Sequence, residues 1–462
     1  MNDLSKITEY GRIIADANVT FTPELSAKIG AVHGSYLGGK GILVAARDYS
    51  NNSRMLKRSY IAGGMSAGID ILNLHSSPLP LVQFCIRRFG ASGGVFFSSG
   101  SMNERDTSIR FYDSSGIEFS KKQIDSINEF FKSEKLKRAD PSNIGSITSI
   151  LQTFEVYKKA IPQFVNKNLI SNSNLKVVMD CSYGPTGELA PEMMNSLNTA
   201  VIGLNTYYRP LSVKLYPDLE AVRNVASIVK ASEADLGVVF DSDGSRCLLL
   251  DETGNLVDFE DIFMLFISND DAILKSKANP ILTTTSASKI LDDFASNYGY
   301  KLKRIINMPG SISKKIREER GAFGASDTKK FYFPSYGPFS DGIFTTLKLL
   351  EVLAEKKEPL SSLIRNFPKS IKVHKTVNVN PKVLVNYDKI LTEHYREKVI
   401  IIMDLLFGIK IVFDENTWVQ VVPSLYRDAL VFTSEAPKSS TSEKLISEIE
   451  KVLQSNKTEQ DE

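Results

Sequence analysis

Leu236-Gly237-Val238-Val239-Phe240-Asp241-Ser242-Asp243-Gly244-Ser245-Arg246-Cys247-Leu248-Leu249-Leu250 sets two apolar runs on either side of an acidic, glycine-bearing turn. The run 236–240 predicts a strand, the Asp/Gly stretch a turn and 247–250 a returning strand, so the local expectation is a hairpin. The turn also nearly spells a three-carboxylate metal loop, with Ser245 where the third carboxylate would stand. A hard dication wants several converging oxygens with carboxylate charge to offset its own. Asp241, Asp243 and Ser245 are therefore expected to hold a metal weakly or not at all.

Outward from this hairpin, strand-like and helix-like runs alternate. Upstream, strands are predicted over 41–46, 69–74, 94–97, 175–179 and 201–204. Helices are predicted over 54–67, 81–89 (after a Pro78/Pro80 break), 189–197 and 219–230. Downstream, helices are predicted over 259–267, 288–298 (with a serine cap), 312–320 and 341–355, and strands over 280–285 and 302–306. Such alternation predicts α/β domains with mixed, largely parallel sheets. After residue 370 the pattern changes to strands over 371–379, 409–413, 418–422 and 430–434, a closing helix over 442–453 and a frayed polar end, which reads as a smaller α+β domain. The expected domains are 1–150, 151–253, 254–367 and 368–462, since a chain of 462 residues is too long for one core.

The totals exclude several function classes. Lys+Arg 56 against Asp+Glu 54 leaves a net charge of +2, too little field to recruit nucleic acid or an acidic membrane. Cys85, Cys181 and Cys247 lack metal or CxxC spacing and read as buried thiols in a reducing compartment. His33, His75, His374 and His394 show no ligand spacing, so zinc is not expected. No apolar run approaches about 18 residues and no leader pattern opens the chain, so a cytoplasmic location is expected.

Between the candidate loops, short pieces accumulate in a recognisable order: Thr22-Pro23-Glu24-Leu25, Arg47-Asp48, Met55-Leu56-Lys57-Arg58, Ser66-Ala67-Gly68-Ile69-Asp70, Leu189-Ala190-Pro191-Glu192, Ala234-Asp235-Leu236-Gly237, Leu249-Leu250-Asp251-Glu252, Gly321-Ala322-Phe323-Gly324 and Asp341-Gly342-Ile343. In order and spacing they resemble the α-D-phosphohexomutases, the phosphomannomutase/phosphoglucomutase family. The resemblance implies three tandem phosphohexomutase-type α/β domains with mixed sheets and a smaller C-terminal α+β domain around a central cleft. It also implies a mechanism built on four loops. A phosphoserine donates its phosphoryl group, magnesium neutralises the transferring charge, a Glu-bearing loop holds sugar hydroxyls, and an Arg/Ser/Thr loop clamps the second phosphate.

All four loops depart from that pattern. The family serine loop reads Thr-Ala-Ser-His-Asn-Pro; the ungapped match here is Ser98-Ser99-Gly100-Ser101-Met102-Asn103, which places Gly100 at the nucleophile and leaves Ser99 or Ser101 as displaced replacements. Phosphoryl transfer tolerates displacements of only about 1 Å. The metal loop carries Ser245, though Asp241, Asp243 and Arg246 remain. The sugar loop Gly-Glu-Glu-Ser-Gly-His becomes Gly324 followed by Ala325-Ser326-Asp327-Thr328-Lys329-Lys330, keeping one shorter carboxylate at Asp327. The phosphate loop Arg-Pro-Ser-Gly-Thr-Glu-Pro becomes Val422-Pro423-Ser424-Leu425-Tyr426-Arg427-Asp428, where Leu425 blocks the close backbone approach a glycine allows. The N-terminal loop is reduced to Tyr10-Gly11-Arg12-Ile13-Ile14.

The expectation is a phosphohexomutase-like pseudoenzyme in carbohydrate metabolism. It would act by binding a phosphosugar-type anion or a protein partner such as an active mutase, and would require no cofactor. Arg47, Arg246, Asp327, Lys329, Lys330, Ser424 and Arg427 are the candidate binding residues, and a magnesium-independent anion site is expected from Arg47, Arg246, Lys329, Lys330 and Arg427. The alternative is an active phosphomannomutase/phosphoglucomutase, moving phosphate between C1 and C6 of a hexose through Ser99 or Ser101 and magnesium. Phosphate-ester hydrolysis is a third option, although no histidine in the four loops offers a general base.

Overall fold

The computed structural model describes residues 3–9, 11–99, 106–133, 136–209, 219–397, 399, 401–405, 408–424 and 429–455. The chain divides into two compact units, Met1–Thr283 with Asn307–Asn366, and Thr284–Ile306 with Phe367–Glu462.

The first unit opens with a seven-stranded mixed sheet of β1 (Thr8–Glu9), β2 (Arg12–Asp16), β3 (Ile42–Arg47), β4 (Asp70–Ser76), β5 (Gly93–Ser99), β6 (Asp106–Asp113) and β7 (Ile147–Ser149), in the order β1-β2-β6-β5-β3-β4-β7. The β3, β4, β5 and β7 pairings are parallel, while β6 runs antiparallel to both β5 and β2. Helices α1 (Pro23–Tyr36), α2 (Asn51–Ser66), α3 (Leu79–Arg88) and α4 (Lys121–Lys132) accompany this sheet. Leu43, Val44, Ala45 and Ala46 of β3 are wholly buried, as a parallel strand packed on both faces requires. The helix α3 starts at Leu79 with Pro80 inside its first turn, earlier than the expected break, because a proline near the helix start forfeits only an N–H that has no intrahelical partner.

A second sheet follows, with β8 (Lys176–Asp180), β9 (Ala200–Leu204), β10 (Leu236–Phe240) and β11 (Cys247–Leu250) in the order β11-β10-β8-β9. The expected hairpin is present: β10 and β11 are antiparallel, with Phe240 opposite Cys247. Helices α5 (Thr153–Ala160), α6 (Lys167–Ser171), α7 (Thr186–Asn195) and α8 (Leu219–Ser232) belong to this region; α7 starts three residues before the expected 189 and contains Pro191. Beyond α9 (Phe259–Asn269) and α10 (Asp271–Leu274), β12 (Ile281–Thr284) leads toward the second unit.

The second unit contains α11 (Ile290–Asn297) and β13 (Leu302–Ile305). The serine cap expected for α11 is displaced: Lys289 is the N-cap, while Ser288 Oγ donates to Glu435 and accepts from the Ile290 N–H at 3.3 Å. The chain then returns to the first unit through α12 (Ser311–Glu319), β14 (Phe323–Ser326), β15 (Lys330–Tyr332), α13 (Gly342–Lys356) and α14 (Leu360–Leu363). β14 runs parallel to β12 and antiparallel to β15. Asp341 is the N-cap of α13, its carboxylate accepting from the Phe344 N–H at 3.0 Å.

The second unit ends in a wholly antiparallel sheet of β16 (Lys372–Asn378), β17 (Ile401–Leu405), β18 (Gly408–Asp414), β19 (Thr417–Pro423) and β20 (Ala429–Glu435), in the order β16-β20-β19-β18-β17, with helices α15 (Pro381–Tyr395) and α16 (Ser439–Ser455). Its core joins Ile411, Val419, Phe432, Leu391 and Ile449. The protein is thus α/β with three mixed-sheet regions and an antiparallel C-terminal sheet. Among the described residues, no helix is long and apolar enough to cross a membrane.

Candidate functional site

The β10–β11 turn folds on its own side chains. Asp241 O accepts from the Gly244 N–H at 3.1 Å, and Gly244 sits at φ +77°, where a Cβ would approach Thr186 Oγ1 to 2.8 Å. Only glycine closes this turn without strain. Asp241 Oδ1 accepts from the Arg246 N–H at 3.0 Å, and its Oδ2 accepts from Ser245 Oγ at 3.1 Å and Arg246 Nη1 at 2.9 Å. Asp243 Oδ1 accepts from the Ser245 N–H at 3.0 Å, and Oδ2 from Arg110 Nη2 at 2.8 Å. Every carboxylate oxygen of the turn is engaged by a protein donor, and each aspartate has its own guanidinium. Both carboxylates thus already face guanidinia, which a dication bound between them would have to displace. Among the described residues, no group of three or more His, Cys, Asp or Glu side chains is arranged to hold a metal.

Around the turn lies an alternating field of charge. Arg12 Nε donates to Glu118, and Lys330, the first residue of β15, interacts electrostatically with Arg246, Asp243, Arg12 and Asp241. Burial, then the charge of Asp243, pushes the Asp241 carboxyl up. Burial works the same way on Asp243, but Arg110, Lys330 and Arg246 outweigh it and hold that carboxyl below the usual range. Burial and then Arg246 bring Lys330 down to about 7. Lys330 is half-buried and makes no ion pair among the described residues.

Ser98 and Ser99 end β5 beside this cluster. The Ser98 hydroxyl accepts from Arg110 Nη2 at 3.2 Å, and Ser99 donates both its N–H (2.7 Å) and its Oγ–H (2.9 Å) to Asp48 Oδ2. Gly100 and Ser101 lie outside the described residues, as does Arg427. In the sugar-loop segment Ser326 is buried and its Oγ lies 2.7 Å from Thr328 Oγ1; Asp327 is half-buried, and Lys329 turns at φ +63° with its ammonium 5.8 Å from the Phe259 ring centre. Ser424 follows β19 in the second unit, its N–H donating to Ala429 O at 2.8 Å. Arg47 does not join Arg246 and Lys330 in one cluster. Its guanidinium lines a separate cavity with Arg54, Lys57 and Arg58.

Models of the phosphoglucomutase/phosphomannomutase α/β/α domains I, II and III match residues 9–138, 155–254 and 260–371. The chain belongs to the phosphoglucomutase/phosphomannomutase family. A phosphoglucomutase/phosphomannomutase of Thermococcus kodakarensis is 29% identical over 430 residues, covering 91% of this chain and 92% of the relative. A phosphoglucomutase/phosphomannomutase family protein of Burkholderia thailandensis superposes with a TM-score of 0.82 at 18% identity, over 98% of each chain. The N-acetylphosphoglucosamine mutase of Aspergillus fumigatus, solved with GlcNAc-6P and magnesium, superposes at 0.58 with 11% identity over 95% of this chain and 98% of that one. At these identities the two solved structures speak for the fold.

Within this family member, the residues that sequence reasoning passed over are Arg110, Glu118, Asp48 and the ion-pairing role of Arg12. Arg110 carried a signal: it is a lone charge in the run Ser108-Ile109-Arg110-Phe111-Tyr112, whose neighbours are all buried. A charge in such a strand needs a partner, but nothing local indicates that the partner lies 133 residues away.

Proposed function

We propose that this family member binds a phosphosugar-type anion without catalysing phosphoryl transfer and without requiring magnesium. The observation that carries this reading is the closed β10–β11 turn, in which two guanidinia occupy the carboxylates that would otherwise face a metal. Phosphoryl transfer depends on positioned cations and a nucleophile. Here the turn's cations are tied internally, and glycine falls at the nucleophile position in the sequence register. Lys330 supplies a nearby positive charge for an anion. The Aspergillus mutase, solved with GlcNAc-6P, supports the phosphosugar class. A protein partner, such as an active mutase, would fit the same non-catalytic role.

A second reading is an active mutase using Ser99 or Ser101 with magnesium. The relatives, which are named as mutases, support it more strongly than the first reading, and the Ser99 hydroxyl, held by Asp48, is an oriented nucleophile candidate. One experiment separates the two. Purified protein is incubated with glucose 1-phosphate, a trace of glucose 1,6-bisphosphate and magnesium, and is then assayed for glucose 6-phosphate and by intact mass for a phosphoryl adduct. The binding reading expects neither product nor adduct. Turnover at ordinary enzyme rates, or a phosphoserine at Ser99 or Ser101, would overturn it.

A further inference from the structure

A cationic cavity lies at the carboxyl ends of β3 and β4. It has a volume of about 240 Å³ and is lined by Arg47, Arg54, Lys57, Arg58, Asn73 and His75, with Ile61 and Ile147 as apolar walls. Among the described residues, no carboxylate lines it. Arg47 is the last residue of β3, and α2 crosses from β3 to β4, so the cavity occupies the crevice beyond the ends of parallel strands where α/β folds place ligands.

The helix α2 concentrates the charge. Arg54, Lys57, Arg58 and Ile61 recur at i, i+3, i+4 and i+7, which puts them on one face. Like charges at this spacing repel, and the first turn of α2 has no acidic residue to offset them. Two of the cations are not solvated: Lys57 is 3% exposed and Arg47 7%. The Lys57 ammonium donates to Asn73 Oδ1, which satisfies one of its three protons. Opposite, a register shift between Ala45 and Ala46 bends the β3–β4 pairing, and His75 takes φ +58°. Bulges of this kind re-aim side chains at strand ends.

We propose that this cavity is a binding site for the phosphate group of a small phosphate monoester, separate from the β10–β11 turn. A monoester carries about −1.5 to −2 charge near neutral pH with three acceptor oxygens, and guanidinium forks match that geometry. The buried Lys57 meets the dianion, Arg47, Arg54 and Arg58 surround it, and Ile61 and Ile147 cover the carbon skeleton of the ester. An occupied site relieves the repulsion along α2. Burial and the neighbouring Arg47, Arg58 and Arg54 bring Lys57 down to about 7, so a dianion would restore its charge.

The test uses the full chain without magnesium, titrated calorimetrically and by thermal shift with glucose 6-phosphate, inorganic phosphate, glucose and chloride of matched ionic strength. Arg54 and Arg58 are exposed, so an Arg54→Ala/Arg58→Ala variant keeps the fold; Lys121→Ala/Lys122→Ala on α4 removes the same charge elsewhere. The expected result is saturable binding of glucose 6-phosphate, weaker binding of inorganic phosphate, and none of glucose. Affinity should fall at least tenfold in the α2 variant and stay unchanged in the α4 variant. The proposal is overturned if the wild type does not bind, if chloride reproduces the shift, if free phosphate binds better than the ester, if the α2 variant retains its affinity or if the α4 variant loses it equally. The variants lie away from the β10–β11 turn, so retained affinity in the α2 variant overturns this site and leaves phosphosugar binding elsewhere standing, whereas a wild type that does not bind overturns both.

Discussion

Arg110 Nη2 lies 2.8 Å from Asp243 Oδ2, with the two side chains 5% and 7% exposed, and this buried pair ties β6 of the first sheet to the β10–β11 turn of the second. Arg110→Met leaves Asp243 buried without its counter-charge, and breaking such a pair costs about 3–5 kcal/mol. Urea unfolding is expected to show this loss. The double variant Arg110→Met/Asp243→Leu should recover most of it, because apolar replacement of both partners removes the unpaired charge. A single variant as stable as the wild type would show that the pair is not held in solution.

The same turn predicts the response to metal. Millimolar magnesium is expected to leave the melting temperature of the wild type where matched sodium chloride leaves it, because ligands raise stability only by binding the native state. Ser245→Asp adds a third carboxylate beside Asp241 Oδ2, which Ser245 Oγ now approaches to 3.1 Å. That variant should be less stable without metal and should gain a magnesium-dependent rise. Magnesium stabilisation of the wild type would contradict the closed turn.

Asp341 makes stability pH-dependent. Its carboxyl is buried, accepts from Tyr157 OH and is pushed by burial from 3.8 to about 6. A carboxyl raised in the folded state contributes stability that is complete below its unfolded value and is lost as pH rises through about 6. Asp341→Asn keeps the acceptor for the Phe344 N–H and has no proton to lose. It is expected to flatten the fall in stability between pH 4 and 6.5 and to be more stable at pH 7 by up to about 3 kcal/mol. Denaturation series at pH 4, 5, 6 and 7 check the slope, and an unchanged slope would reject the assignment.

α1 and α2 meet through glycines. A Cβ at Gly63 would come within 1.9 Å of Ala27 O, and one at Gly30 within 2.1 Å of Tyr60 O. Both obstacles are helix backbone, so the helices must separate. Gly63→Ala is expected to lose about 3 kcal/mol or to fail to fold, despite the higher helix propensity of alanine. A stability gain in chemical denaturation would mean that the helices are not this close.

Much of the architecture was legible in the chain itself. The runs 236–240 and 247–250 around an Asp/Gly turn are a local pattern, and they form the expected hairpin, with Phe240 opposite Cys247. Strands and helices are legible because backbone propensity and burial periodicity are properties of neighbouring residues, whereas the family came from the resemblance of the short pieces from Thr22 to Ile343, taken in order. Element ends were less legible. Pro80 reads locally as a helix breaker but is accommodated in the first turn of α3, and Ser288 reads as the cap of α11 but gives its hydroxyl to Glu435. In both cases the winning interaction depends on context that the local pattern does not contain.

The sequence by itself determined the Asp/Gly hairpin and the cations Arg47, Arg246 and Lys330, and its resemblance to the family implied that Ser245 stands at a carboxylate position. Only the tertiary structure decided what those charges do. A side-chain contact between the first sheet and the turn of the second brings Arg110 to Asp243 across 133 residues and closes the turn, while the β3–α2–β4 crossover draws Arg47 to Lys57 and away from Arg246. Charge is written residue by residue, but its effect depends on distance and burial, and both are set by how distant elements pack together.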